Sequence, residues 1–225
     1  MKTIYIILSI LFLASCSPAY IPNMVNAPIF SNKNELQIKV NGSSGGVDPQ
    51  LSYAITNHLG VMVNGNFGSY TDENTGITTR HKFAEIGAGY YTNNKGRFVF
   101  AFFGGAGAGE TEGEFETDNG LSITQASLNR IFVQPAIGWV TDIFDFSLAT
   151  RFSHVNLSPQ LQSPLNTSSL MFEPALNLGL GYKYVKLHTQ LGFSVPMGDP
   201  NNLGFSYQPV VFGIGLTARI GRKYF

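Results

Sequence analysis

The sequence predicts an all-β protein: an antiparallel, up-and-down transmembrane β-barrel of about ten strands, with eight or twelve as neighbouring counts. Three observations carry that prediction. From residue 35 onward apolar and polar residues alternate with period two, and helical periodicity is almost absent. Many of the alternating runs reach about 12–16 residues; strands of soluble domains peak near five or six, whereas membrane strands need about nine to eleven. The connections alternate between short and long, as periplasmic turns and external loops do in outer-membrane barrels.

The chain divides into a signal peptide (1–15), a lipidated tether (16–34) and the barrel (35–225). Lys2 precedes an apolar run from Ile4 to Ala14, too short to span a bilayer as a helix but right for a secretory signal. Leu13-Ala14-Ser15-Cys16 matches the bacterial lipobox, in which the cysteine thiol is lipidated and becomes the first mature residue. Cys16 is the one cysteine of the chain, so an intrachain disulfide is excluded. Ser17 follows it instead of the aspartate that commonly retains lipoproteins at the inner membrane, which favours the outer membrane. No acidic cluster of the kind associated with export to the cell surface follows Cys16. Pro18, Pro22 and Pro28 interrupt any period between 17 and 33, so this stretch reads as an extended tether.

The strands then follow in order. Leu36, Ile38 and Val40 alternate with Gln37 and Lys39; Leu51, Tyr53 and Ile55 with Ser52 and Ala54; Val61, Val63 and Phe67 with Asn64 and Asn66; Ile86, Ala88 and Tyr90 with Glu85 and Gly87. Phe98–Gly109 is a continuous apolar run whose aromatics and glycines favour a strand. Gly105, Gly107 and Gly109 share one face, where another side chain should come close. Further alternating runs centre on Ile131–Trp139, Phe146–Phe152, Leu170–Leu180, Val185–Val195 and Val210–Ile220. Short connections fall near Asn57-His58, 93–96, 141–145 and 183–184. Long ones fall at about 42–48, 71–79, 111–125, 158–168 and 197–206. This arrangement puts both termini of the barrel on the turn side, in the periplasm.

Tyr90, Trp139, Tyr182 and Tyr184 stand at turn-side strand ends, as an aromatic girdle requires. The terminal Phe225 after a glycine-rich strand is similar to the signal read by the barrel-assembly machinery. The lipobox, the proline-bearing tether, Tyr53-Ala54-Ile55-Thr56-Asn57-His58-Leu59-Gly60, Glu173-Pro174-Ala175 and Gly181-Tyr182-Lys183-Tyr184 together resemble lipid-anchored outer-membrane β-barrel proteins of Gram-negative cell envelopes. The resemblance spans most of the chain. It implies location and fold, and transfers no catalytic residue.

Composition limits the chemistry. Fourteen basic and fourteen acidic residues leave no net charge, which argues against a nucleic-acid partner. The inward faces carry Glu35, Lys39, Glu85, Arg130, Arg151, Glu173, Lys186, His188 and Arg219. Acids and bases are roughly matched, so a paired polar filling of the lumen is expected. A selective pore is the alternative, and it is opposed by size, since open channels usually need about sixteen strands. Glu110, Glu112, Glu114, Glu116 and Asp118 recur at every second residue and would line one side of an extended arm; such oxygen ligands suit calcium or magnesium. His154, with Ser153, Asn156 and Ser158 nearby, does not match the spacing of known outer-membrane hydrolases. Gly104–Gly109 lacks the Gly-Lys-Ser/Thr ending of a phosphate loop.

These features predict an outer-membrane β-barrel lipoprotein, palmitate-type acylated at Cys16, with a non-enzymatic structural or surface-binding role. A small-solute channel is the second reading, and a lipid-modifying enzyme the third. No cofactor and no resident metal are expected. The expected partners are outer-membrane lipid and lipopolysaccharide, the barrel-assembly and lipoprotein-sorting machineries, and an external ligand.

Overall fold

The computed structural model describes residues 18–71, 78–94, 97–117, 120–159, 167–198, 203 and 205–223. The signal peptide, Cys16, Asp118 and Phe225 lie outside the described residues. No helix occurs among those described.

Eleven strands form one antiparallel sheet. They are β1 (Leu36–Ser43), β2 (Gly46–Ala54), β3 (Leu59–Thr71), β4 (Thr78–Asn94), β5 (Phe98–Thr117), β6 (Gly120–Val140), β7 (Phe144–Pro159), β8 (Thr167–Tyr182), β9 (Val185–Phe193), β10 (Val195–Pro196) and β11 (Val210–Ile220). β10 continues β9 after a break at Ser194, and β1 pairs with β11, from Leu36 opposite Ile220 to Ser43 opposite Gly213. The sheet therefore closes into a ten-stave barrel without an open edge.

The alternation has its expected cause. Ile38, Val40, Leu51, Val63, Ile86, Phe100, Phe102, Ile131, Val133, Leu180 and Leu216 are exposed on the outer wall, while the polar residues between them are buried. Such a wall is stable only where hydrocarbon replaces water outside. Tyr90, Trp139, Tyr182 and Tyr184 are exposed at the short-turn end.

Strand prolines interrupt the ladder where they lack an N–H to donate. The β6–β7 register skips Gln134 and Pro135, and the break at Ser194 stands opposite Glu173 and Pro174. The freed Ser194 N–H donates to Pro209 O instead, at 2.8 Å.

Three expectations are corrected. The loop expected at 42–48 is a two-residue hairpin turn, Ser44-Gly45, between paired Ser43 and Gly46. Gly46 takes φ 114° there, a conformation that glycine alone adopts freely. The loop expected at 111–125 is ladder instead: β5 and β6 stay paired out to Thr117 opposite Gly120. At 20 and 21 residues these strands rise about 70 Å, well beyond a hydrocarbon core of about 30 Å.

The third correction concerns the tether. Residues 20–30 run through the lumen, with Tyr20, Met24, Asn26 and Phe30 fully buried. At the long-loop end, Tyr20 N donates to Ser206 O and Tyr20 O accepts from Gln208 N, both at 3.0 Å. At the short-turn end, Lys33 N donates to Asn57 Oδ1 at 3.1 Å and Asn32 Nδ2 to Gly221 O at 2.8 Å. Asn34, at φ 64°, turns the chain into β1 against Gly221, at φ 76°. The barrel's own ends, Leu36 and Ile220, therefore pair on the turn side as expected, while the first described residues lie at the opposite end. Residues 20–30 carry no charge, and their apolar and amide side chains match a polar lumen better than bulk water.

Candidate functional site

The lumen holds this inner segment and three layers of polar side chains. All nine charged residues expected to face inward are buried there.

The layer nearest the long loops is built on Glu85 (β4), Arg130 (β6), Arg151 (β7) and Glu173 (β8). Glu85 accepts from both guanidiniums: Arg130 Nη2 meets its Oε2, and Arg151 Nη2 lies 3.2 Å from its Oε1. Asn64 Nδ2 and Asn23 Nδ2 donate to the same Oε1 at 2.7 and 3.1 Å. Asn23 Oδ1 accepts from Arg130 Nη2 at 2.5 Å and from Arg151 Nη1 at 3.1 Å. Arg130 Nη1 donates to the Tyr20 hydroxyl at 2.9 Å, which donates to Glu173 Oε1 at 2.7 Å. Ser153 Oγ donates to Glu173 Oε2 at 2.7 Å. Two carboxylates and two guanidiniums thus balance, as burial of charge requires, and the inner segment and the wall supply further partners, with Arg130 Nε left without one.

The glycine stripe of β5 makes this layer possible. A Cβ at Gly105 would stand 2.7 Å from Phe132 Cζ, and one at Gly107 would collide with the Phe83 ring. The two rings occupy that space, and Arg130 and Arg151 stack over them at 4.5 and 4.8 Å.

The middle layer holds Asp145, to which Lys186 Nζ and Arg219 Nη2 donate at 2.8 and 2.9 Å. His188 lies between Asn41 Oδ1 and Asn177 Oδ1, at 3.1 and 3.2 Å. Lys39 Nζ donates to Asn26 Oδ1 at 3.3 Å. Beneath it, Glu35 faces Arg222 at 3.4 Å and accepts from Ser31 N at 2.7 Å. Asp145 and Arg222 escaped sequence reading because each sits at a strand end, where alternation stops. Tyr20, Asn23 and Asn26 escaped it because no period marks a segment that is neither helix nor strand.

The acidic ladder lies partly within view. Glu110 is exposed and paired with Lys82 at 2.9 Å, and Glu112 accepts from Gln125 Nε2 at 2.9 Å. The side chains of Glu114 and Glu116 fall outside the described residues. Among the described residues no three metal-ligating side chains converge. His154 is exposed on the outer wall while Ser153 points inward, so the two do not face each other.

No protein-family model and no curated protein matches the chain. Solved structures do. The outer membrane protease OmpT of Escherichia coli is similar at 11% identity over 87% of this chain and 99% of its own, with a TM-score of 0.49. OmpT (in-vitro folded), an outer membrane protein of Vibrio cholerae, is similar at 8% identity over 86% of this chain and 100% of its own, with a TM-score of 0.27. The chain has the all-β fold of outer-membrane β-barrel proteins, carried by its own closed ring of strands. The first of these structures corrects one expectation, that the chain is not an enzyme: a barrel similar in fold is a protease. The expectation rested on a missing linear motif, and catalytic groups on a barrel come from separate strands without fixed spacing. At 11% identity and a TM-score of 0.49 the likeness transfers no activity.

Proposed function

We propose that the chain is a self-plugged outer-membrane β-barrel lipoprotein with a structural or surface-binding role, its β5–β6 arm and long connections forming the face offered to partners. The observation that supports this reading is the inner segment, bonded to the wall from Tyr20 to Asn32. It leaves the charged lumen paired rather than open, which favours a closed barrel over a small-solute channel. The test is single-channel conductance of the refolded mature chain, with insertion verified by protease protection. Inserted, silent protein is the expected result, and discrete reproducible conductance steps would overturn it.

Lipidation at Cys16 belongs to the same reading and rests on the lipobox. Cys16 precedes Tyr20 by four residues, a reach of at most about 14 Å. Tyr20 sits among the long connections, so the anchor belongs at that end, on the outer face if the long connections are external. This reading differs from the periplasmic N-terminus expected from the strand count. Radiolabelled palmitate should mark the wild type and not Cys16→Ala. An epitope inserted after Ser17 should be reached by antibody on intact cells; detection only after permeabilisation would refute the orientation while leaving the lipid in place.

A further inference from the structure

Between the inner segment and the wall lies a small cavity of about 20 Å³, room for one water-sized occupant. Ala27 and Ile29 bound it on the inner side, and Lys39, Asn177, Lys186, Thr217 and Arg219 line it from the wall together with one carboxylate, Asp145. Four buried polar atoms of these residues have no hydrogen-bond partner: Arg219 Nε and Nη1, Asn177 Nδ2 and Thr217 Oγ1. The two guanidinium nitrogens and the amide nitrogen are donors only, and the hydroxyl can donate. Asn177 is fixed in this orientation because its Oδ1 accepts from Gln190 Nε2 at 2.5 Å and faces His188 Nε2 at 3.2 Å.

The charge around the cavity points the same way. Asp145 is one carboxylate shared by two cations, Lys186 and Arg219. Lys39 is a further basic group, bonded to a neutral amide oxygen. A water molecule accepts two hydrogen bonds and neutralises nothing. Buried positive charge left over from its ion pairs calls for a counter-ion. The geometry points to a monovalent-anion site here: one chloride-sized ion, accepting from Arg219, Asn177 and Thr217 and balanced by Lys39 and Lys186. The volume excludes sulfate and phosphate. The ion would tie β1, β8, β9 and β11 together behind the inner segment as a structural counter-charge.

The full mature chain, refolded in detergent, supplies the test. Its melting temperature is followed as sodium gluconate is replaced by sodium chloride or bromide at constant ionic strength, and crystals are soaked in bromide. Melting should rise with halide, and an anomalous bromide peak should stand within hydrogen-bond distance of Arg219 Nε. Thr217→Val keeps the shape and removes one donor, so it should raise the half-saturating halide concentration about tenfold or more. Equal melting in gluconate and halide, with no anomalous peak, would mean a water and overturn the site. A peak confined to molar bromide without any shift in melting would mark an adventitious ion only and overturn it equally.

Discussion

Gln190 of β9 holds Val25 of the inner segment by both backbone groups: its Nε2 donates to Val25 O at 2.8 Å, and its Oε1 accepts from Val25 N at 2.7 Å. The side-chain amide takes the place of a neighbouring strand. A chain that threads a barrel cannot join its ladder, so its backbone must be satisfied by side chains. Gln50 and Asp48 do the same for Met24, at 2.9 and 3.0 Å. Gln190→Leu should therefore cost about 1–3 kcal/mol for each Val25 group left unpaired. The midpoint of urea unfolding in detergent should fall, and the variant should show conductance events absent from the wild type.

The amides of Met24 and Val25 should exchange as slowly as those of the strands, although they lie outside the sheet. Hydrogen exchange read by mass spectrometry checks this directly. Exchange within seconds would place the segment outside the lumen.

Glu85 accepts from two guanidiniums at once. Glu85→Gln leaves Arg130 and Arg151 facing a neutral amide with their solvation lost, and should destabilise the barrel by about 3–5 kcal/mol. Lys82→Met, which breaks the exposed pair with Glu110, should leave the unfolding midpoint unchanged, because a solvated pair contributes little. Equal effects of the two variants would contradict the paired lumen.

Gly107→Val would drive a side chain into the Phe83 ring and displace the surface on which Arg130 stacks. Overpacking of this kind costs about 1–3 kcal/mol. The fraction of protein retaining the compact, heat-modifiable form on gels should drop. Gly113→Ala, further along the same strand, has nothing within 4 Å of the added Cβ and should be tolerated.

Much of the barrel was legible in the sequence, for a simple reason. In a strand with lipid on one face and a polar lumen on the other, each residue's type is set by its parity, so alternation reports directly on the wall. Leu178, Leu180 and Tyr182 could be assigned outward, and Glu173, Lys186 and Arg219 inward, from spacing alone. The glycine face of β5 was legible too, because only a close neighbour explains glycine at 105, 107 and 109. The exclusion of an enzyme did not survive: absence of a linear motif says little where a site is assembled across strands.

Tertiary structure decided the rest. Which acid meets which base depends on the register of four different strands, so Glu85 could be placed in the lumen but not between Arg130 and Arg151. The path of residues 20–30 was invisible for a deeper reason. An irregular segment carries no period, and its two prolines, Pro22 and Pro28, read equally well as a free tether or as a chain held by side-chain amides. Only closure of the barrel around Tyr20, Asn23 and Asn26 distinguishes the two, because the stabilising groups come from residues up to 193 positions away in sequence.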